Sequence, residues 1–354
     1  MARKTIFLET AFWDKFSECS RSLEPYADGN DPVQVFNKIT QWYNIYSFFC
    51  RSSLYVDTPL SELAEKAKDD PMLAGLLQCN GDGEMDLEYQ QEPFPVLESD
   101  DAFEYDDDYS SVFFTAEDHR KDARKHGVIN VCMESIWNQE KKFIDSGDAI
   151  KTDEGWTWNS LDIIKENSNG MVIIDNFILS PDNLTGKCTI RYDLRELMRQ
   201  MLPDPNTYKE EYIISIFYYE NSDEQVVRDA RKKQYFQSIT DFVKAKKPKL
   251  KLKLELFPTF SNQQNYHKDF HDRTIVTNNI WLGSEAGFDL LVPDYTRNTN
   301  TRVLKTTKVH SLYLGFGFKS ARWLEHAYEH LITEARQCLK KYNYTTENRI
   351  LLSS

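Results

Sequence analysis

Short apolar runs alternate with amphipathic stretches over the first third of the chain. The apolar runs predict buried strands at 5–8, 53–56, 112–114 and 128–131. Between them, apolar residues at helical spacing predict a helix from about Trp13 and further helices over 32–49, 61–77 and 118–125, the last of which Gly127 would end. Repeated strand–helix–strand patterning of this kind favours a parallel α/β sheet.

The alternation returns in the second part of the chain with longer elements. It predicts strands at 171–174, 212–217, 249–254, 273–276, 280–282 and 311–316, and helices over 223–246 and 324–338. Lysine and leucine alternate strictly over 249–254, so the lysines should share one face of that strand. We therefore expect two α/β domains, covering 1–150 and 151–354.

Charge is distributed unevenly along the chain. The formal net charge of the 354 residues is −13, but twelve carboxylates lie between Asp82 and Asp108, a stretch without lysine or arginine. Without them the rest of the chain is close to neutral. Together with Pro93 and Pro95, they predict a mobile acidic insertion at 81–109.

A run of basic residues in the second domain, over about 228–253, has the opposite charge to this insertion. A basic surface of this kind would bind a polyanion such as RNA or DNA, and the acidic insertion could mask it. A solvated loop and a solvated face are the simpler alternative. The candidate nucleic-acid contacts are Arg231, Lys232, Lys233, Lys249, Lys251 and Lys253.

Several classes of protein are disfavoured by what the chain lacks. No stretch approaches the roughly 20 apolar residues that cross a bilayer, and the apolar run before Glu9 is too short for a signal peptide. The six cysteines are scattered and include no Cys-x-x-Cys pair, which indicates free thiols in a reducing compartment. We expect a cytoplasmic protein without a transmembrane segment.

The segment from His271 to Ser284 has the most distinctive spacing. His271 and Arg273 lie two positions apart on a predicted hairpin and would face one pocket, with Asn278 further along and Gly283 before Ser284. This layout resembles the phospholipase D signature of histidine, lysine, aspartate and Gly-Ser. The resemblance implies a nucleophilic His271 and a phosphate-neutralising Arg273, with Asn278 and Ser284 completing the catalytic candidates. Asn278 departs from the signature because an amide cannot supply the charge of a carboxylate.

A nearer resemblance concerns the whole of the second domain, roughly 156–342. Its His-Asp-Arg motif and the later Gly287-Phe288-Asp289-Leu290 look like the C-terminal domain of the MIT-domain-containing protein 1 type. That family has a phospholipase-D-like α/β fold. The resemblance implies a non-catalytic domain that forms a homodimer and binds membranes. A single copy of the motif supplies only half of an active site, so related single-copy proteins either complete the site by dimerising or have lost the activity.

Glutamates near the predicted strands give the first domain its candidate chemistry. Glu9, Glu62 and Glu117, with Asp118 beside the last, resemble the carboxylates that PIN-type nucleases place at the ends of parallel strands. The resemblance implies a PIN-like sheet whose carboxylates hold Mg²⁺ or Mn²⁺ for phosphodiester hydrolysis. Glu9 stands where PIN domains have aspartate. The alternative is that these are surface glutamates at helix starts, where the helix dipole favours negative charge.

Two functions from different classes remain open. The first is a metal-dependent nuclease, or a nuclease-derived effector, that acts on RNA or DNA in bacterial phage defence with other defence-system proteins. The second is a non-catalytic phospholipase-D-like dimer that binds phosphate groups of nucleic acid or lipid and scaffolds a complex. Metal-independent hydrolysis at a dimeric His271 site is a third alternative. Two nuclease-type motifs in one chain favour the first.

Overall fold

The chain forms two compact units, residues 1–146 with 318–325 and residues 147–317 with 326–354. The computed structural model describes residues 5–22, 32–50, 52–83, 86–89, 97, 112–133, 149–152, 156–160, 167–176, 178–179, 181, 186, 188–220, 222, 224–260, 273–284, 288, 291–293, 302–304, 310–316 and 322–352. His271, Gly287 and most of the predicted acidic insertion lie outside these residues.

The first unit is built on a five-stranded parallel sheet in the order β3-β2-β1-β4-β5. Its strands are β1 (Thr5–Leu8), β2 (Ser53–Val56), β3 (Asp86–Tyr89), β4 (Val112–Thr115) and β5 (Ile129–Cys132). Its helices are Thr10–Ser22, Pro32–Phe49, Leu60–Lys66, Pro71–Gly81 and Arg120–His126. The strand order reverses between β1 and β4, which makes the point between them a topological switch.

Apolar side chains cover both faces of this sheet, as a parallel sheet requires. Phe7 and Phe113 stack at 4.6 Å between ring centroids on one face, in a cluster that includes the buried Leu97. On the other face, Phe114 contacts Phe49 with ring centroids 4.8 Å apart. The predicted α/β class is confirmed.

Two features of the first unit differ from the sequence-based expectation. The helix predicted over 61–77 is two helices, because Pro71 starts a new one and Asp70 caps it by accepting from Met72 N (3.0 Å) and Leu73 N (3.2 Å). The segment predicted as an acidic insertion supplies the edge strand β3, in which only Leu87 is buried.

The second unit contains a seven-stranded sheet in the order β6-β14-β11-β10-β7-β8-β9. Its strands are β6 (Ala149–Thr152), β7 (Gly170–Ile174), β8 (Glu211–Tyr219), β9 (Lys251–Thr259), β10 (Arg273–Thr277), β11 (Ile280–Ser284) and β14 (His310–Phe316), while β12 (Leu291–Pro293) and β13 (Arg302–Leu304) form a separate pair. The helical elements are Trp158–Ser160, Tyr192–Met201, Gln225–Lys246, all but the first four residues of Arg322–Tyr342, and Arg349–Leu352.

Strand direction defines two edges of this sheet. Strands β7, β8 and β9 are parallel, and β10 runs antiparallel to both β7 and β11. The carboxyl ends of β7–β9 therefore share one edge with the amino end of β10 and the carboxyl end of β11. The opposite edge carries the amino ends of β7–β9 and the turn between β10 and β11.

Candidate functional sites

Carboxylates follow three neighbouring strands of the first sheet at its switch point. Glu9 comes directly after β1, Asp57 directly after β2, and Glu117 two residues after β4. In open α/β sheets, ligands bind at this edge beside the switch point. The topology thus places Glu9, Asp57 and Glu117 after neighbouring strands at the same edge of the sheet.

Glu9 ties the end of β1 to the loop after β4. Its backbone N donates to Phe114 O over 2.9 Å, and its carboxylate Oε2 accepts a short hydrogen bond from Ala116 N. The side chain is half-buried. Among the described residues, Glu9 Oε1 has no hydrogen-bond partner. One of the two carboxylate oxygens is therefore fixed by a backbone amide.

Asp57 holds the first turn of the helix Thr10–Ser22 to the end of β2. Its Oδ1 accepts from Thr10 N over 2.9 Å and from the Thr10 hydroxyl over 2.5 Å, and the same hydroxyl lies 2.7 Å from Thr58 Oγ1. Because Thr10 opens the helix Thr10–Ser22, the carboxylate sits at the positive end of the helix dipole. Sequence reasoning missed Asp57, although it occupies the same place after β2 that Glu9 occupies after β1.

The other predicted metal ligands are engaged elsewhere. The Glu117 side chain is 81% exposed and pairs with Lys15 Nζ at 3.2 Å. Asp118 is held by Arg120, whose side-chain hydrogen bonds lower the pKa of this carboxyl. Glu62 lies in the exposed first turn of the helix Leu60–Lys66.

The predicted set of Glu9, Glu62, Glu117 and Asp118 is not assembled into one site. Over the residues that the structure describes, no three carboxylate, histidine or cysteine side chains form a group able to hold a metal ion. A four-carboxylate Mg²⁺ site does not fit this arrangement. The metal ion stays a prediction, and the carboxylates best placed for one are Glu9 and Asp57.

A buried asparagine fixes the loop that carries Glu117. Asn130 on β5 is 5% exposed, donates from Nδ2 to Thr115 Oγ1 (2.7 Å) and Phe113 O (3.2 Å), and accepts at Oδ1 from His119 N (2.9 Å). A buried amide with all these partners rigidifies its surroundings. Asn130 is the polar residue inside the apolar run 128–131, and this exception to the apolar pattern indicates a buried side chain that needs hydrogen-bond partners.

The second sheet brings part of the phospholipase-D-like motif together. Arg273 and Ser284 are direct partners across β10 and β11. Asp175 follows β7 at the same edge, is 2% exposed, accepts at Oδ2 from Phe288 N (3.2 Å), and places Oδ1 3.9 Å from Arg273 Nε. Asp175 was not predicted, although a carboxylate directly after a buried strand is a recognisable signal.

Asn278 is remote from Arg273 and Ser284. It lies at the opposite end of β10, and five residues of strand correspond to about 16 Å. Asn278 is 2% exposed and accepts at Oδ1 from Asn169 N over 3.1 Å, which fastens the turn after β10 to the segment before β7. Its observed contact is structural, and His271 lies outside the described residues.

The predicted nucleic-acid contacts divide into two groups. Arg231 NH1 donates to Glu220 Oε1 over 2.7 Å, Lys232 Nζ lies 6.0 Å from the centroid of the Tyr344 ring, and Lys253 is ion-paired with Glu347. These three side chains have local partners. Lys233, Lys249 and Lys251 are exposed.

Lys249 and Lys251 belong to a larger group on one corner of the second unit, at the carboxyl end of the helix Gln225–Lys246, the turn into β9 and the loop before β8. Lys251 Nζ donates to Lys209 O over 3.5 Å and Lys249 Nζ to Asn206 Oδ1 over 3.3 Å. We call the group the lysine cluster: Lys209, Lys244, Lys246, Lys247, Lys249 and Lys251.

The lysine cluster has a net positive charge. Within the described residues, none of its six ammonium groups is ion-paired with a carboxylate. Glu210 and Glu211 follow Lys209 and offset part of the charge. Neighbouring lysines closer than the Debye length of about 8 Å repel one another, and a bound polyanion would relieve that repulsion.

No protein-family model matches this chain, and no curated protein matches it closely enough to count as a relative. The PIN-like and phospholipase-D-like resemblances therefore stay predictions, and function has to be inferred from the geometry of the described residues. In those same parts of the chain, no helix combines the length and apolar character needed to cross a bilayer.

Proposed function

We propose that this protein binds RNA or DNA through the lysine cluster of its second unit, as a nuclease or a nuclease-derived effector. The observation that carries the proposal is the concentration of six lysines without ion pairs on one corner. Nucleic-acid phosphates are the polyanion that such a surface binds without further specificity.

The chemistry of lysine indicates which part of the nucleic acid is bound. An ammonium group on a flexible stem acts as a point charge, whereas base recognition commonly uses the planar fork of arginine. All six members of the cluster are lysine. We therefore expect contacts with the phosphate backbone and little dependence on base sequence.

Binding of labelled single- and double-stranded RNA and DNA tests this proposal. The triple variant Lys246→Gln, Lys249→Gln, Lys251→Gln removes half of the cluster, and we expect it to lose most of its affinity for every sequence tried. Lys15→Gln, Lys66→Gln, Lys68→Gln is the matched control, because each of these lysines is paired with a carboxylate in the first unit. Equal affinity of the two triple variants would contradict the proposal.

Phosphodiester cleavage at the edge of the first sheet is the second candidate function. It is favoured by the position of Glu9 and Asp57 at the ends of β1 and β2, beside the switch point. Mg²⁺ is often held by one or two carboxylates together with substrate phosphates, so these two residues would suffice as protein ligands. A bound ion would supply charge neutralisation and an activated water. The Thr10 hydroxyl orients Asp57 for that role.

Cleavage assays with Mg²⁺, Mn²⁺ or EDTA test this second function. We expect metal-dependent cleavage that is lost in Glu9→Gln and in Asp57→Asn and retained in Glu62→Gln, which alters an exposed carboxylate on a nearby helix. Cleavage that persists in EDTA and in Glu9→Gln would overturn it. If that cleavage is lost in His271→Ala, the chemistry belongs to the second unit.

A further inference from the structure

One aromatic side chain is exposed on the helix Gln225–Lys246. Phe236 is 45% exposed, whereas the other described aromatic residues of the second unit are buried or half-buried. The packed side of this helix is supplied by Tyr235, Ile239 and Val243, which are buried and lie four residues apart. The packing of the helix therefore leaves Phe236 at the surface of the second unit.

The ring of Phe236 is not engaged by another ring or by a cation within the described residues. In contrast, the half-buried Phe260 packs against Tyr342, with ring centroids 5.5 Å apart, and lies 4.8 Å from Arg228 Cζ. Single exposed apolar side chains are common on protein surfaces. The residues around Phe236 decide whether its exposure indicates a ligand.

Lysines flank Phe236 on the exposed side of the helix. Lys233 lies three residues before it and Lys244 eight residues after it, and positions at these intervals share one side of a helix. Both lysines are exposed, and neither has an ion-pair partner among the described residues. Because Lys244 belongs to the lysine cluster, Phe236 extends the surface of that cluster along the helix.

Carboxylates limit how far this positive surface extends. Asp229 lies four residues before Lys233, and its Oδ1 accepts from Gln225 Nε2 over 2.8 Å. Beyond the ring, residues 237–251 contain five lysines and one carboxylate, Asp241. The surface therefore keeps a net positive charge from Phe236 towards the cluster and loses it towards the amino end of the helix.

We propose that Phe236 stacks against a base of a single-stranded nucleic acid whose phosphates are bound by the lysine cluster. An aromatic ring beside a basic surface suits a single strand, because every base has a flat face on which a ring can stack. The bases of a duplex present their edges in the grooves instead. This inference rests on the proposed function and specifies which form of nucleic acid the same surface binds.

The dimensions of the helix fit this mode of binding. Phe236 and Lys244 are eight residues apart, which corresponds to about 12 Å along the helix axis. A stacked strand carries one phosphate about every 3.4 Å, so three to four phosphates span roughly this distance. A short segment of one strand can therefore place a base on the ring while its phosphates reach the cluster.

Binding of one labelled oligonucleotide in three forms tests the proposal: the single strand, its duplex, and the same strand with abasic sites. Phe236→Ala removes the ring, and Tyr43→Ala is the matched control because it removes a ring that is 69% exposed on the helix Pro32–Phe49 of the first unit. We expect Phe236→Ala to bind the single strand at least about fivefold more weakly than the control does. The two variants should bind the duplex and the abasic strand equally.

A second substitution and the salt dependence separate stacking from charge. Phe236→Trp keeps an aromatic ring and should bind the single strand at least as tightly as wild type. Phenylalanine neutralises no phosphate, so Phe236→Ala should lower the affinity without changing the slope of the logarithm of the binding constant against that of salt concentration. Thermal melting should show that all of these variants are folded.

Failure of this inference is distinguishable from failure of the proposed function. If the lysine triple variant loses affinity while Phe236→Ala and Tyr43→Ala bind the single strand equally, the cluster binds nucleic acid and stacking on Phe236 is overturned. An equal loss on all three forms of the oligonucleotide would also overturn it, because that loss would not depend on accessible bases. If wild type binds none of them, both the inference and the proposed function are wrong.

Sedimentation of the free proteins tests the competing occupant, a second copy of this chain. We expect wild type and Phe236→Ala to have the same oligomeric state. An oligomer of wild type that dissociates in Phe236→Ala would assign the ring to an interface between copies and would contradict its role in stacking.

Discussion

The helix Gln225–Lys246 carries cations towards both of its ends, in different environments. At its carboxyl end, Lys244 and Lys246 are exposed where the helix dipole is negative and favours them. Nearer its amino end, Arg228, Arg231 and Lys232 are half-buried.

This difference separates two kinds of basic residue within one run. Exposed lysines on flexible stems can follow a long polyanion and exchange contacts along it, with a strong dependence on salt. Half-buried cations are held in one geometry by Glu220 and by aromatic rings. Burial and local partners therefore indicate which cations are available to a polyanion better than the number of basic residues does.

The largest effect on stability is expected from Glu220→Gln. It replaces the carboxylate that pairs with Arg231 by a neutral amide in a buried position, and we expect the free energy of unfolding to fall by about 2–3 kcal/mol. This is below the roughly 3–5 kcal/mol of fully buried pairs, because the Arg231 side chain remains 26% exposed. Urea unfolding measures the change.

The control for this prediction is Glu347→Gln, which removes the partner of Lys253 from a side chain that is 70% exposed. Surface pairs of this kind contribute about 0–1 kcal/mol. Equal effects of the two substitutions would mean that Glu220 is no more important than a surface partner.

A pH-dependent effect of intermediate size is expected at Lys232. Because burial lowers its pKa in the folded protein, the protonated ammonium disfavours folding, and this disadvantage is lost as pH rises through the folded pKa towards the unfolded value near 10.4. Wild type should therefore gain stability relative to Lys232→Gln as pH rises towards about 10. Burial raises the pKa of the neighbouring Tyr344 to about 12, so that phenol stays neutral over this range.

Urea unfolding of both proteins across this pH range provides the measurement. Asp229, on the same helix, raises the pKa of Lys232 and so opposes the effect of burial. Parallel stability curves, or a loss of stability in wild type relative to Lys232→Gln, would show that the protonated Lys232 does not destabilise the folded protein.

The smallest effect on stability is expected at the other end of the helix. The triple variant Lys246→Gln, Lys249→Gln, Lys251→Gln should change the free energy of unfolding by less than about 0.5 kcal/mol, because these side chains are exposed and lack ion pairs among the described residues. A loss above about 1 kcal/mol would indicate that the lysines support the fold, and would undermine their assignment to binding.

Much of the fold could be predicted because local pattern and tertiary environment agree. Strands such as β1 and β4 are short apolar runs enclosed on both faces, and their bounds match the prediction to within one residue. The prediction failed for β3, where Leu87 alone is buried and the pattern carries no signal of a strand. It also failed at Pro71, where Asp70 caps a second helix within one continuous amphipathic stretch.

The candidate sites were less predictable because they depend on which strand ends meet. Glu9 was found from its position after an apolar run. Asp57 and Asp175 follow predicted strands in the same way and were missed, because the sequence does not show which strand ends lie together. The basic run gave no sign that Arg231 pairs with Glu220, eleven residues away, or that Lys232 lies over Tyr344. Linear charge patterns predict attraction to a polyanion, whereas pairing and burial are decided by tertiary contacts.

The salt dependence of nucleic-acid binding tests the central claim most directly. The logarithm of the binding constant for a single-stranded oligonucleotide is measured against the logarithm of salt concentration, between about 50 and 200 mM, for wild type and the lysine triple variant. Each lost phosphate contact lowers the magnitude of the slope by about 0.7, so the variant should have a slope about 2 smaller in magnitude. An unchanged slope with unchanged affinity would show that the lysine cluster does not bind the nucleic-acid backbone.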